Sequence, residues 1–430
     1  MGYVLLGVLI VELLIFYRFN GKNVVSPSFV GCAMFILTTV VYLSAQEYFG
    51  YEIHSITVTV IVSLLFCVFI GEQFANKLAV KERDRTVGID IEKTKEAIEI
   101  SHLYCLIITV FEIVIMAIHF REVYSYSLLV GNVEGNFLTM AKYVREAVSN
   151  GYAPLDLSII TSQGVVISEC LVWFFIYSIC YNKNQTNKLY RRYLIPIIAY
   201  LPNVWITDNR VTLLRMVAVS FIIIFVFTKQ KHGWTKKGNK KIVVLAIVGV
   251  CLYLVIFRLL GYRTETSLRN ELWDNFTEYV SASLVGLDRY LLNGETPNTL
   301  FGETTLSSIY NILRQWGLPI PVVDSFEPFY EYAHGNSNVY TALKAYIHDY
   351  TLLGAIVAMI LWGFVINYSL KYIRKNGTGF IRVCFVGMMF YPVAMISIAD
   401  TTSSFLAMRT VYTLVYLLIL NKLFLSNKKI

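Results

Sequence analysis

Charge is scarce in this chain. Of its 430 residues only 15% are Asp, Glu, Lys or Arg, where a soluble domain carries about 25%. Hydrophobic residues make up 56% and the mean hydropathy is +0.57, which excludes a water-soluble globular enzyme. Alternation of apolar and polar residues is also missing, and the continuous apolar runs exclude a membrane β-barrel. Cysteine is absent from the polar segments. Cys32, Cys67, Cys105, Cys170, Cys180, Cys251 and Cys384 all fall in or beside apolar runs, so they read as small core residues rather than a disulfide framework or thiolate metal site. The outer loops hold no Asp-x-Asp or Glu-x-Asp pair, and no P-loop, serine elbow or zinc motif occurs. The expectation is therefore no metal and no cofactor. Internal repeats and low-complexity tracts are lacking too. The N-terminus has neither a basic leader region nor a small-residue cleavage site, so its first apolar run is expected to be retained.

What the chain does have is a series of apolar runs near the ~20 residues that cross ~30 Å of hydrocarbon. They imply an all-α polytopic membrane protein of about eleven transmembrane helices, at about 3–17, 27–46, 56–75, 102–120, 156–181, 192–207, 211–228, 242–260, 343–370, 380–398 and 403–421. The whole of 1–430 reads as one membrane domain. Alternate connections are rich in lysine and arginine, from Arg18 and Lys22 through Lys77–Lys95, Lys183–Arg192, Lys229–Lys241 and Lys371–Arg382 to Lys422–Lys429. By the positive-inside rule these face the cytoplasm, with the N-terminus outside and the C-terminus inside. Most of the net charge of +8 is then a topology signal and does not indicate nucleic acid.

The opposite connections are poor in lysine and include two long ones, 121–155 and 261–342. The first contains an amphipathic stretch, Asn136–Asn150, expected on the membrane surface. In the second, Leu268–Leu292 and Glu303–Trp316 look helical, and prolines break the rest into turns. Arginines cluster at this outer face. Arg210 and Arg215 open the seventh span, with Arg215 about 7 Å deeper along the axis. Arg258 closes the eighth span and Arg263 follows it. Guanidinium forks match phosphate oxygens bidentately, so these four form a candidate diphosphate clamp. The alternative for Arg215 is a structural pair with Asp208 or Asp400. Arg409 either completes the cluster or pairs with Asp400. Arg289, in Leu287-Asp-Arg-Tyr290, lies on a cap helix where a solvated face is favoured. His334 and Asp349 flank a polar helix start and are the candidate general bases, each with a plainer reading as a loop histidine and a helix-positioning charge. Asn338, Tyr340 and Lys344 share that region and are candidates for glycan or phosphate contact. Glu12, Glu112 and Glu169 lie within spans, where pairing inside the bundle is favoured over a proton path.

Three stretches carry a family resemblance: Asn209-Arg-Val-Thr-Leu-Leu-Arg215, the turn Phe301-Gly-Glu-Thr-Thr305, and Asn338-Val-Tyr-Thr341 followed by Asp349-Tyr-Thr-Leu-Leu-Gly354. With the span architecture, they resemble the O-antigen and oligosaccharide repeat-unit polymerases (Wzy type), membrane glycosyltransferases of the C-type superfamily. In that family the last stretch often reads Asp-Phe-Gly, where Tyr350 and Thr351 stand here. The resemblance implies a polymerase at the outer face of the bacterial cytoplasmic membrane. It would transfer a growing glycan from undecaprenyl diphosphate onto a new lipid-linked repeat unit, with inversion. A chain-length regulator and a flippase are the partners it implies. Rivals are an O-antigen ligase, for which Ser337-Asn338 stands in place of a His-Asn or His-Ser pair, and a lipid-linked oligosaccharide flippase or transporter.

Overall fold

The computed structural model describes residues 1–80, 96–132, 135–137, 139–149, 155–206, 210–232, 234, 238–249, 271–294, 300–322 and 327–425. It is mostly helical, at 77%. Among the described residues, seven helices are long and apolar enough to cross a membrane. In chain order the helices are α1 (Gly2–Phe19), α2 (Pro27–Ser44), α3 (Gln46–Phe49), α4 (Ser55–Val80), α5 (His102–Leu129), α6 (Met140–Ser149), α7 (Ile159–Gln185), α8 (Leu194–Ile206) and α9 (Arg210–Lys231). Then come α10, described over 239–249, α11 (Glu271–Asn293), α12 (Ser307–Gln315), α13 (Ala342–Asn376), α14 (Phe380–Ala394), α15 (Thr402–Phe405) and α16 (Met408–Phe424). Where all-α structure was expected throughout, the outer loop adds a small antiparallel hairpin, β1 (Tyr330–Tyr332) and β2 (Gly335–Ser337).

Local chemistry explains the helix starts. Ser101 and Ser158 cap α5 and α7 by accepting from the amides of Tyr104 and Thr161, each at 3.3 Å. Carboxylates from other helices also hold these starts. Glu72 of α4 accepts the Ser28 amide at 2.7 Å and its hydroxyl at 2.6 Å, at the start of α2. Glu122 of α5 takes the Ser158 amide and hydroxyl. Asp288 of α11 takes the His54 amide and the Thr57 hydroxyl at the head of α4. Each satisfies amides a helix start leaves open and fixes one helix against another.

Two cores result. One joins α7, α9, α14 and α16 around Trp173, Phe174, Val219 and Cys384. The other joins α1, α2, α4, α11 and α13 around Phe16, Phe35, Leu64 and Leu284. In the second, α4 and α13 cross backbone to backbone. A Cβ on Gly71 would sit 2.0 Å from the Ile360 carbonyl oxygen, and one on Gly363 2.0 Å from that of Val68. Only glycine permits this approach.

Three findings depart from the sequence expectations. Of the Leu268–Leu292 stretch, the described part from Glu271 is helical as α11, but it is no solvated cap: Val280, Ser281, Ala282, Ser283, Leu284, Val285, Leu287 and Asp288 are all buried. Its Ser283 hydroxyl donates to the Ser397 carbonyl at 2.6 Å. The tenth apolar run, expected helical to 398, stops at Ala394, and Met395, Ile396, Ser397 and Ile398 form a buried non-helical connection. The Ile396 carbonyl is satisfied by the Ala342 amide at 3.0 Å, as buried irregular backbone requires. Finally, α13 is broken at Thr351, whose φ of 61° and ψ of 176° fall in a region populated essentially by glycine. The amphipathic stretch after Asn136 is helical as α6, with Met140 packed against Val123 of α5 and Ile206 of α8.

Candidate functional site

The start of α13 meets the connection after α14, the Ala342 amide donating to the Ile396 carbonyl, and polar side chains gather there. Tyr346 and Tyr350 stand one turn apart on the first segment of α13, with rings 6.4 Å apart. The Tyr346 hydroxyl accepts from the Trp362 indole at 2.5 Å and meets the Thr402 hydroxyl at 2.7 Å. The Thr402 amide in turn donates to Asp400 Oδ1 at 3.0 Å. The Tyr350 hydroxyl meets the Thr305 hydroxyl at 2.6 Å. Beside Tyr346 lies a small apolar cavity of about 20 Å³, lined by Gly31, Leu65, Val68, Met359, Trp362 and Val393 among others.

Asp349 is buried and already engaged. Its carboxylate accepts the Thr304 amide at 3.0 Å, the Thr305 amide at 2.7 Å and the Thr305 hydroxyl at 2.7 Å. It thereby pins the Phe301–Thr305 turn onto α13. His334 is elsewhere: it is exposed at the tip of the hairpin, stacked on Tyr48 at 6.0 Å. The two candidate bases share no contact. Asn338 is half-buried just after the hairpin. Tyr340 donates to the Pro328 carbonyl at 3.0 Å and packs edge-on against Tyr330. Lys344 is buried, with Nζ 2.6 Å from Glu327 and over the rings of Tyr340 and Tyr290 at 5.1 and 5.3 Å.

The arginines divide. Arg258 and Arg263 lie outside the described residues, as does the side chain of Arg210. Arg215 is buried in a bidentate pair with Glu169, Nε to Oε1 at 2.9 Å and NH2 to Oε2 at 2.5 Å. Arg409 reaches the same Oε2 at 2.9 Å, and its side chain is 33% exposed against 0% for Glu169. Both arginines thus share Glu169, ten residues into α7, and neither pairs with Asp400; Asp208 lies outside the described residues. One carboxylate against two guanidiniums leaves a net positive site near the starts of α9 and α16. Arg289 is half-buried with its guanidinium over Tyr51 at 5.2 Å.

Asp400 is what sequence reasoning passed over except as a partner for arginine. It is half-buried in the outer connection between α14 and α16. Burial, reinforced by the neighbouring charges of Asp349 and Glu327 against the pull of its Thr402 hydrogen bonds, pushes its carboxyl up to about 6. Asp288 was also missed. It takes four donors from Tyr51, His54 and Thr57, and in sequence only its place beside Arg289 marked it. Among the described residues, no group of three or more His, Cys, Asp or Glu has metal-binding geometry. No protein-family model, no curated protein and no solved structure matches the chain, so its function has to be argued from these residues.

Proposed function

We propose that this chain is a bacterial surface-polysaccharide polymerase, with eleven spans in the cytoplasmic membrane, the N-terminus outside and the C-terminus cytoplasmic. It would move a growing glycan from undecaprenyl diphosphate to a new lipid-linked repeat unit. The acceptor hydroxyl attacks the anomeric carbon, the bond from that carbon to the diphosphate oxygen breaks, and the diphosphate leaves with the electron pair. The hydroxyl proton passes to a carboxylate. The observation that carries this reading is the state of the carboxylates around the two helix breaks. Asp349 is occupied by three donors, Glu327 is held by Lys344 and Glu169 by two arginines. Asp400 alone among these four is held by Thr402 only, with no charged partner, and has a proton affinity suited to a base near neutrality. Asp349 then positions the turn, and Arg409 supplies partly exposed positive charge for the diphosphate.

Support also comes from Thr351. The position that reads glycine in the family pattern has a backbone conformation that favours glycine. A second reading, a lipid-linked oligosaccharide flippase, is favoured by the interrupted helices, a habit of transporters. One experiment separates them. Purified protein in nanodiscs is given its lipid-linked repeat unit, and the products are run on a gel. A ladder formed without added nucleotide or second enzyme supports the polymerase; tight binding and translocation in liposomes with no ladder supports the flippase.

A further inference from the structure

Of the carboxylates that the sequence places within spans, Glu169 has found two arginines and Glu112 has found no partner. Glu112 is 0% exposed, and neither of its oxygens makes a hydrogen bond among the described residues. It stands ten residues into α5, about 15 Å along the axis and near the middle of a ~30 Å hydrocarbon layer. The register of α5 against α7 shows what lies level with it. The two helices run antiparallel: Glu122 holds Ser158 and Thr161, and a Cβ on Gly164 would lie 2.5 Å from Ile115 Cδ1. One turn further along α7 and one turn back along α5, Ser168 comes level with Glu112, and its buried hydroxyl is open too. The same stripe of α5 carries two more titratable groups, towards the end that the proposed topology puts outside. His119, two turns from Glu112, is 1% exposed, with Nδ1 3.2 Å from Asn203 Oδ1 and Nε2 open. Glu122, one turn beyond, is half-buried.

We infer that Glu112 is a proton-binding site inside the membrane, loaded from the outer end of α5 by way of Glu122 and His119.

A proton needs no cavity, only a lone pair. An ionised carboxylate within a span is costly unless a cation or several donors answer it, and none does here. On α5 itself Cys105 lies two turns the other way. At this depth α7 brings Glu169, which is committed to Arg215 and Arg409, and Cys170, whose Sγ lies 3.8 Å from the Thr413 carbonyl. The titratable group of α8 is Tyr200, packed with Val172 and Leu213. The turn Arg191–Tyr193 brings Arg192, which lies on His102 at the first turn of α5, and α6 packs at the far end, beside Val123. Glu112 therefore carries its proton in this conformation. Even neutral, the acid leaves a donor and an acceptor unfilled, so it does not hold the helices together, and an apolar side chain of its size would pack at least as well. What the stripe supplies is a series of groups that take up and release protons. With the Asn203 amide as placed, His119 donates through Nδ1 and presents Nε2 as an acceptor. The ~10.5 Å of axis between His119 and Glu112 is crossed through water admitted when α5 parts from α7 and α8. The outer water gives up the proton and the carboxylate becomes the acid.

Proton binding is independent of glycosyl transfer and is tested without it. The full-length protein in nanodiscs is compared by infrared difference spectroscopy with Glu112→Gln, an uncharged side chain of the same shape that should keep the fold. The expected difference is one carbonyl band of a carboxylic acid free of strong hydrogen bonds; Glu12 and other acids cancel because both proteins share them. The band should shift in heavy water and disappear reversibly as the pH is raised. His119→Leu should keep the band and slow its shift in heavy water by about tenfold or more. Glu112→Asp, which displaces the band instead of removing it, remains informative if Glu112→Gln fails to fold. No Glu112 band at any pH would overturn the site, because the carboxylate would then be ionised. A band that neither exchanges in heavy water nor answers to pH would overturn it as well, leaving a sealed acid. An undiminished exchange rate in His119→Leu would overturn the route.

Discussion

The carboxylate of Asp288 holds His54 twice, the backbone amide on Oδ1 at 2.7 Å and the ring Nδ1 on Oδ2 at 2.8 Å. With Tyr51 and Thr57 it closes the start of α4 from a helix more than 230 residues away in sequence. Asp288→Ala would leave the buried Thr57 hydroxyl open, with the half-buried Tyr51 hydroxyl and the more exposed His54 donors beside it. The expected outcome is a loss of about 1–3 kcal/mol, seen as a fall in Tm in detergent. Asp288→Asn, which retains one acceptor, should fall part of the way. A Tm in Asp288→Ala close to wild type would show that the contact contributes little.

Thr351 gives a prediction of the opposite sign. A β-branched residue at φ 61°, ψ 176° carries strain of order 1–3 kcal/mol that glycine escapes. Thr351→Gly should therefore raise Tm, whereas Thr351→Val should not. Denaturation of the three proteins side by side decides it.

Glu169 faces two arginines, and a buried charge deprived of its partner costs about 3–5 kcal/mol. Glu169→Leu should be severely destabilised. Arg215→Leu should be milder, because Arg409 still answers the carboxylate. The Glu169→Leu/Arg215→Leu double variant should recover part of the loss of Glu169→Leu. Strict additivity in this cycle would mean that the pair seen at 2.5–2.9 Å is not coupled energetically.

Asp400 predicts a pH dependence. Its folded value of about 6 lies above the ordinary carboxylate value of 3.8, so between these the folded state keeps a proton that the unfolded state has lost. Stability then falls as pH rises through that window. Asp400→Asn should match wild type at low pH and exceed it above pH 6. If Asp400 takes the acceptor proton, ladder synthesis should rise through about pH 6 in wild type. In Asp400→Asn it should drop at least ~100-fold, the lower end of what general base catalysis contributes. Full activity in Asp400→Asn would remove it from the mechanism.

Composition alone announced a helical membrane protein, and many helix starts were readable from Ser101, Ser158 and Pro27. The break after Ala394 was not, because Met-Ile-Ser-Ile-Ala is as apolar as a helix and only the donors on Ala342 and Ser283 reveal it. The burial of α11 was hidden for a related reason. Its Ser283 and Asp288 look like a wet face until their partners, far away in sequence, are known. Asp349 was legible as a polar residue at a helix start, but its donors lie 44 and 45 residues upstream and turn a candidate base into an anchor. Glu169 reads in sequence as an isolated intramembrane carboxylate, and its two arginines come from helices 46 and 240 residues further on. The proposed clamp of Arg210, Arg215, Arg258 and Arg263 stands tested only at Arg215, the rest falling outside the described side chains.

The crossing of α4 and α13 at Gly71 and Gly363 allows no play: carbonyl meets Cα, and no side chain intervenes to be rearranged. That pair behaves as a fulcrum. Relative movement of the two halves is left to the opposite bank, where α7, α9 and α16 meet through the long side chains of Glu169, Arg215 and Arg409. Their arginine–glutamate knot is the latch of that bank.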